Sequence, residues 1–555
     1  NRQNLFWKQR SDFHVFTEKG AKCFPRKMIR PDPHTRRQLV QQLSCPSFGL
    51  ATSWIISRKA IPADSLGEAF SLLKREVWPF PKTLPRKDST VAKAKREKAN
   101  ETYRKTPSEL GQILGLYNEA ICWAPEGSEE LAMGYGNRSA IFFNGKQYRR
   151  CLANIELAKG SNYPEDKLVK LLEREKKCLN LLEHEPKLNV KEDKLFLEVT
   201  ETSHSGRGLT AKMDFLVGEI VLHEKPSLVV IEPEVTFTRC NHCGQRNEYD
   251  LIPCKNCSAA MYCSEQCRKE ALTKYHHFEC EIVEDLKNLF KGPKTTRMFQ
   301  LTLRLFWMVV ADLIEDRDQF LKRYADLSAY RNPLQIDKST LHLHVLADNL
   351  PDMSADQTGK GVTQFLTALT YKLAVEENDS VPKELINEHQ DLLLEVLFRL
   401  ALQARLVCDQ SPADISCLYP LFRMVNHSCA PNAERVLNGE RLMLVAKRPI
   451  RAGEQVLVCY FPNGTTDSVP KDKRRAQLQR EFKFDCQCLG CSLDYPLLNA
   501  MDDHAELRTE LEQIKLETDS GKRLRLLANF LQRHDDQHPR KELSEAWRLF
   551  RDIKI

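Results

Sequence analysis

The chain has 555 residues, 42% of them hydrophobic and 29% charged, a formal net charge of +7 and nineteen cysteines, which suits roughly three or four packed domains. Its longest apolar stretch, LRLFWMVVADLI from Leu303 to Ile314, contains an arginine and is far short of the ~20 residues that a membrane span needs, so it reads as a buried helix. The cysteines come in C-x-x-C pairs and no signal-like charged-then-apolar start is seen, which favours a reducing compartment over a secreted disulfide scaffold; the opening Asn1, in place of a methionine, leaves room for a true N-terminus upstream.

Taken in order, residues 1–90 read as a helical, proline-broken N-terminal region without a usable motif. Residues 91–186 read as helices. The basic run AKAKREKAN, Ala92 to Asn100, opens them as a solvated face rather than a nucleic-acid contact. LYNEAICWAP is echoed 31 residues later by QYRRCLANIELA, with Tyr117 answering Tyr148, Ala120 answering Cys151 and Ile121 answering Leu152. Between them MGYGNRSAIFFNGKQY alternates small and aromatic residues at helical spacing. The pattern resembles tetratricopeptide repeats, which bury their faces by stacking and commonly bind peptides on the concave side; a plain helical-hairpin domain is the alternative.

From His204 a Gly206-Arg207-Gly208 turn leads into strand-like runs, IVLHEKP and LVVIEP, over a stretch expected to span 191–239. Residues 240–280 then hold seven cysteines in the order Cys240-x2-Cys243, Cys254-x2-Cys257, Cys263-x3-Cys267 and His276-x3-Cys280. Four ligand pairs of this kind suit two tetrahedral zinc ions, and a segment with so few large apolar side chains needs metal to fold. A single zinc with spare cysteines stays open, and His277 competes with His276 as the imidazole ligand.

Residues 281–407 carry helical periodicity, as in FLTALTYKLAVEE and LLLEVLFRLALQARL. Next come LYPLFRMVNHSCAPNA (Leu418 to Ala433), RLMLVAKRPIRAGEQVLVCY (Arg441 to Tyr460) and EFKFDCQCLGC (Glu481 to Cys491). Alternation in GEQVLVCY puts Val456, Val458 and Tyr460 on one face of a strand closed by a turn. Cys486, Cys488 and Cys491 supply three thiolates, one short of a closed structural zinc site. Residues 493–555 read as a short helical tail that could cap a substrate cleft.

These segments together resemble the SET and MYND domain-containing family, in its tetratricopeptide-bearing branch. The likeness lies in the Asn426-His427-Ser428-Cys429 segment, the Gly-Glu-x5-Tyr strand ending at Tyr460, the cysteine-rich tail and the interleaved cysteine finger. It implies an α+β multidomain fold: tetratricopeptide-like helices, then a β-rich SET domain split by a MYND finger (240–280) and a helical insertion (281–407). The SET domain resumes at 408–461, followed by a post-SET segment at 462–492. By the same resemblance one zinc takes Cys240, Cys243, Cys263 and Cys267, a second Cys254, Cys257, His276 and Cys280, and a third Cys429, Cys486, Cys488 and Cys491. Three bound ions and eleven thiolates lower the formal charge from +7 to about +2, which weakens a nucleic-acid reading.

The implied activity is protein-lysine N-methyl transfer from S-adenosylmethionine. Ser205, Gly206, Arg207, Asn426, His427, Tyr460 and Phe484 would surround the cofactor, and Tyr460 would direct its hydroxyl into the transfer pore. Implied partners are a protein with a target lysine and peptide motifs at the finger and N-terminal helices. Residence is read as cytoplasmic and nuclear, with the balance between the two left open because no strong basic import cluster stands out. The chain departs from the family at Cys408-Asp409-Gln410, where relatives place an asparagine after the cysteine and then a strand; here only SPADISC precedes Leu418. That departure favours the alternative, a non-catalytic adaptor recruiting chromatin regulators or chaperones on a SET platform.

Overall fold

In the computed structural model, residues 87 to 554 are described apart from 183–195, 203–205, 248–249, 290–292, 349, 351–362, a few positions between 365 and 377, 408–413, 462–468 and 483. The expected 1–90 region thus lies almost wholly outside the described residues.

Five helices come first: α1 (Ser89–Lys105), α2 (Leu110–Trp123), α3 (Glu129–Asn144), α4 (Tyr148–Lys159) and α5 (Glu165–Leu182). Side-chain caps start two of them, Asp88 accepting the Val91 N–H at 3.0 Å and Ser128 the Leu131 N–H at 3.2 Å. Glu129 and Glu130 in the first turn of α3 suit its positive end. The helices pack as neighbouring pairs, α1 on α2 and α3 on α4, with α2 against α3 and α4 against α5. The echoed segments thus fall on α2 and α4, the second helix of each pair. Gly134 lets α2 and α3 close, since a Cβ there would sit 2.7 Å from Ile121 Cγ1. Arg138, fully buried, donates Nε to Asn154 at 2.6 Å and Nη1 to Asn118 at 2.6 Å and to the Leu251 carbonyl at 2.9 Å. Desolvation lowers its pKa to about 10. Through Arg138, and through Asn118 donating to the Phe237 carbonyl at 2.8 Å, the helical pairs sit against the cysteine-rich segment.

The β-rich part begins with β1 (Leu197–Thr202), β2 (Gly206–Ala211), β3 (Ile220–Glu224) and β4 (Leu228–Ile231). The cysteine-rich segment follows, with a small hairpin of β5 (Ile252–Pro253) and β6 (Met261–Tyr262), then α6 (Glu265–Ala271), a π-helical turn over Leu272–His276 and α7 (His277–Leu289). Helices α8 (Pro293–Glu315), α9 (Arg317–Ala325), α10 (Leu341–Leu346) and α11 (Lys383–Val407) fill the expected helical stretch. The chain returns to sheet in β7 (Ile415–Leu418), β8 (Asn426–His427), β9 (Ala433–Asn438), β10 (Arg441–Ala446) and β11 (Leu457–Val458).

β1 pairs antiparallel with β2, β4 with β7, and β3-β10-β9 form one antiparallel sheet, while the short β8 and β11 run parallel, Asn426 opposite Leu457 and His427 opposite Val458. Strands from before and after the cysteine-rich and helical segments therefore share one core, in which Leu209, Val221, Val229, Ile415, Leu442, Leu444 and Val456 are buried. Two points differ from the sequence reading. GRG opens strand β2 rather than forming a free turn, because β1 supplies its partner. SPADISC, read as leaving no room for a strand, ends in β7, whose four residues are all buried against β4.

The tail forms α13 (Ala505–Lys515), α14 (Ser520–Arg533) and α15 (Lys541–Lys554), after α12 (Lys471–Phe482). It covers the outer face of the β3-β10-β9 sheet: Leu442 and Leu444 point into the inner core, whereas Met443 and Val445 meet Leu511, Leu527, Phe530, Trp547 and Phe550. A sheet that is apolar on both faces requires such cover. Trp547 Nε1 donates to Glu434, Arg448 Nε to Asp535 at 2.6 Å, and Gln532 accepts the Val217 N–H at 3.0 Å. Trp547→Ala should cost about 3–5 kcal/mol and free the tail to limited proteolysis. An unchanged melting midpoint with an unchanged digestion pattern would place the anchorage elsewhere.

Candidate metal centres and cofactor site

Three groups of side chains bring four ligand atoms each within 4.8 Å of one another: Cys240, Cys243, Cys263 and Cys267; Cys254, Cys257, His276 and Cys280; and Cys429, Cys486, Cys488 and Cys491. Sulfur pairs lie at 3.7 Å (Cys243 and Cys263), 3.5 Å (Cys263 and Cys267), 3.9 Å (Cys254 and Cys280) and 3.6 Å (Cys429 and Cys491), far beyond a disulfide bond. A tetrahedron with Zn–S near 2.3 Å has an S···S edge of about 3.8 Å, and with one imidazole an S···N edge of about 3.6 Å. Cys257 Sγ stands 3.6 Å from His276 Nε2. All three donor sets therefore fit zinc, and the two in the finger are interleaved along the chain.

His276, not His277, joins the second group; His277 is placed edge-on to Phe278. His242 is engaged elsewhere, Nδ1 at 2.9 Å from Tyr275 Oη and Nε2 at 3.0 Å from Glu270. Backbone N–H groups of His242 and Asn256 point at Cys240 and Cys254 sulfurs, both at 3.4 Å, which favours the thiolate.

Behind His276 the sequence reading missed two residues. Glu279, one helical turn on, lies 3.5 Å from His276 Nδ1, the arrangement that fixes a metal-bound imidazole's tautomer. Arg304 on α8 grips Glu279 with Nε at 2.8 Å and Nη2 at 3.2 Å. Burial alone would raise the Glu279 carboxyl, yet Arg304 and His276 hold it below the usual range. The spacing His276-x2-Glu279 was available as a signal; Arg304 was not.

The third group connects two distant segments. Cys429 donates its N–H to Cys488 Sγ at 3.2 Å, and Gly490 packs on Ala430. Arg474 of α12 is buried beside them, donating to the Gly490 carbonyl at 3.1 Å. Next to Cys429, His427 accepts the Tyr460 N–H on Nδ1 at 2.9 Å, leaving Nε2 3.3 Å from Cys429 Sγ. Burial lowers the His427 pKa to about 4, so the ring is neutral, with its proton on Nε2.

Tyr460 donates its hydroxyl to the Val425 carbonyl at 2.7 Å, and burial raises the phenol, which stays protonated. Its ring meets Phe482 at 4.9 Å and Phe484 edge-on at 6.4 Å between centroids. Phe484 also lies 6.1 Å from His427, so Phe484, His427 and Tyr460 make one aromatic group. Asn426 donates Nδ2 to the Arg207 carbonyl at 3.0 Å. Gly208 permits this approach, since a Cβ would fall 2.7 Å from that nitrogen. Gly206, at φ +66°, starts the strand, and Arg207 reaches Asp348 at 2.5 Å and the Arg331 carbonyl at 2.7 Å. Gly206, Arg207, Asn426, His427 and Tyr460 thus lie at adjoining strand ends, with Phe484, past the end of α12, against His427 and Tyr460; Ser205 and the Cys408-Asp409-Gln410 departure lie outside the described residues.

Glu224 also went unnoticed in the sequence. Its carboxylate accepts the N–H groups of Leu421 and Phe422, both at 2.9 Å, and so fixes the turn that delivers the Val425 carbonyl and Asn426. Burial raises its pKa to about 7 against those two hydrogen bonds.

The SET domain family model matches residues 206–461. Histone-lysine N-methyltransferase SMYD3 of Mus musculus is 26% identical over 321 residues, covering 58% of this chain and 65% of the relative. Protein-lysine N-methyltransferase SMYD4 of Danio rerio is 23% identical over 477 residues, covering 68% of the chain and 62% of the relative, and SMYD4 of Homo sapiens is 21% identical over 585 residues, covering 78% and 72%. The chain thus spans somewhat under two thirds of the length of the first two. A solved structure described as the SET domain of LSMT bound to lysine and AdoHcy covers 54% of each chain at 13% identity and a TM-score of 0.26, too slight a likeness to carry an argument.

Elemental analysis of the purified protein should return three zinc ions per chain. In Glu279→Gln the ion held by His276 should be released to a competing chelator at roughly 10- to 100-fold lower chelator concentration, the other two being unmoved. An equal shift at all three centres would mark general unfolding instead, and no shift would remove Glu279 from the centre.

Proposed function

The chain belongs to the SET and MYND domain-containing family, and from that premise we propose that it transfers a methyl group from S-adenosylmethionine to a lysine of a protein. The observation that carries this reading is the clasp on Tyr460, held by its hydroxyl on the Val425 carbonyl and by its N–H on His427, beside Asn426 and the third cysteine group. The cofactor, when bound, supplies a methyl group on a sulfonium, ready for displacement by an amine.

What this chain must do is align the amine, exclude water and keep the amine uncharged. A lysine amine starts near pKa ~10.4, and an aromatic, apolar pore of Tyr460, Phe482 and Phe484 disfavours its ammonium form. The Tyr460 phenol, protonated, holds the amine or the polarised methyl in line and takes no proton. Asn426, His427, Gly206 and Arg207 would hold the cofactor, with Ser205 beside them. Cys429, Cys486, Cys488 and Cys491 would hold a zinc ion that ties the segment bearing Phe484 to Cys429 and contributes structure rather than chemistry.

In the same reading the helices at 91–186 are tetratricopeptide-like, 240–280 is a MYND finger with two zinc ions, and both recruit peptide partners in the cytoplasm and nucleus. No helix among the described residues is long and apolar enough to cross a membrane. The second reading, an adaptor without catalysis, is favoured by Asp409 in place of the family asparagine.

Tyr460→Phe should keep folding and calorimetric affinity for S-adenosylmethionine while lowering turnover by roughly 10²-fold or more, measured with labelled cofactor and a protein mixture. Equal rates would take the phenol out of the mechanism. Wild type that neither binds the cofactor nor transfers methyl would leave the adaptor.

A further inference from the structure

Beside the site, one carboxylate serves two arginines from separate segments. Asp348, which follows α10, accepts Arg207 Nη2 on Oδ1 at 2.5 Å and Arg423 Nη2 on Oδ2. The three side chains keep only 12%, 13% and 9% of their exposure, so a net charge of +1 is held nearly out of water. Among the described residues Arg423 leaves Nη1 buried with no hydrogen-bond partner, and His344 of α10 leaves Nε2 in the same state. His344 Nδ1 lies 2.7 Å from the Tyr330 carbonyl, so the proton is on Nδ1 and Nε2 offers a lone pair. Burial and the charge of Arg423 lower the His344 pKa and keep it neutral. Asp348 in turn is held ionised against its burial by Arg423 and Arg207, and it stands one helical turn beyond His344, its N–H donating to the Val345 carbonyl at 3.3 Å.

Buried donors and acceptors without partners are rare in folded proteins, and this pair has opposite needs. A guanidinium N–H seeks an anion, while an imidazole lone pair next to a carboxylate seeks a cation. An α-amino acid carries both groups on adjacent atoms. We propose that Arg423, His344 and Asp348 seat the zwitterionic amino-acid end of the cofactor, its carboxylate on Arg423 Nη1 and its ammonium on His344 Nε2 and Asp348. The proposal rests on the methyl-transfer reading, and the contact from Asn426 to the Arg207 carbonyl joins the seat to the rest of that site. Asp348 is also a positioning residue, since it holds Arg207 and Arg423 to each other.

The test compares calorimetric binding of S-adenosylhomocysteine with that of 5′-methylthioadenosine, which keeps the adenosine and the thioether but lacks the amino-acid end. Wild type should favour S-adenosylhomocysteine strongly. Arg423→Met should weaken S-adenosylhomocysteine by roughly 10- to 100-fold, the worth of one charge-assisted hydrogen bond, and change 5′-methylthioadenosine less than about threefold. If Arg423→Met fails to fold, Arg423→Lys keeps a cation for Asp348 without the second N–H group and should show the same selective loss. Equal loss for both ligands, or none, overturns the seat. Wild type that binds the two ligands equally overturns it as well while leaving the methyl-transfer reading intact, and wild type that binds neither overturns both.

Discussion

Arg304 is the contact on which the described architecture most depends. Its guanidinium grips Glu279 with two nitrogens, lies 4.5 Å over the Tyr275 ring, and sends Nη1 to the carbonyls of Val229 and Asn241. One side chain thus fastens a strand of the β core, the start of the finger and the helix behind His276 to a single point on α8. A buried arginine is tolerable only when its donors find partners, and here a carboxylate and two carbonyls meet that need. The same ion pair faces the imidazole of the second ligand group, so that group and the seat of the finger on the core share one carboxylate.

A comparable logic runs through the candidate cofactor site, where few groups act alone. Glu224 sets the turn, the turn presents Val425, and Val425 accepts the hydroxyl of Tyr460. His427 receives the Tyr460 N–H while its other nitrogen faces Cys429, so the aromatic group and the third centre share an imidazole. Asn426, one residue earlier, crosses to Arg207 on a strand that precedes the finger. The two halves of the β core meet at this place, and neither half holds a complete site.

Legibility in the sequence followed the range of the signal. The ligand pairs are local, two to three residues between cysteines, and spacing alone exposed them; the interleaving needed the family resemblance. The Asn426 to Cys429 segment and Tyr460 likewise stood out through that resemblance, whereas the strands β3 and β4 were legible from their own apolar runs, bounded by Gly218, Pro226 and Pro233. What stayed hidden were partnerships across the chain. Arg207 and Asp348 are 141 residues apart, and Arg423 and Asp348 75. No periodicity marks such pairs, since an exposed arginine and a buried one look alike until the fold brings a carboxylate to it. Strand β7 was hidden for a different reason: four residues are too few to show alternation, and burial on both faces erases it. The place of the tail on the outer sheet face followed from Met443 and Val445, which in a string read as unremarkable members of an apolar strand.

The third cysteine group also acts on the chain as a crosslink. Cys429 and Cys491 stand 62 residues apart in sequence and 3.6 Å apart in space, so a bound ion closes a long loop much as a disulfide would, by removing open states from the unfolded ensemble. Unlike a disulfide, this closure survives in a reducing environment and is lost in an oxidising one, because thiolates that turn into sulfenates or disulfides release their metal. The segment carrying Phe484 is inside that loop. The aromatic group around Tyr460 would then hold together only while zinc supply and thiol redox state allow.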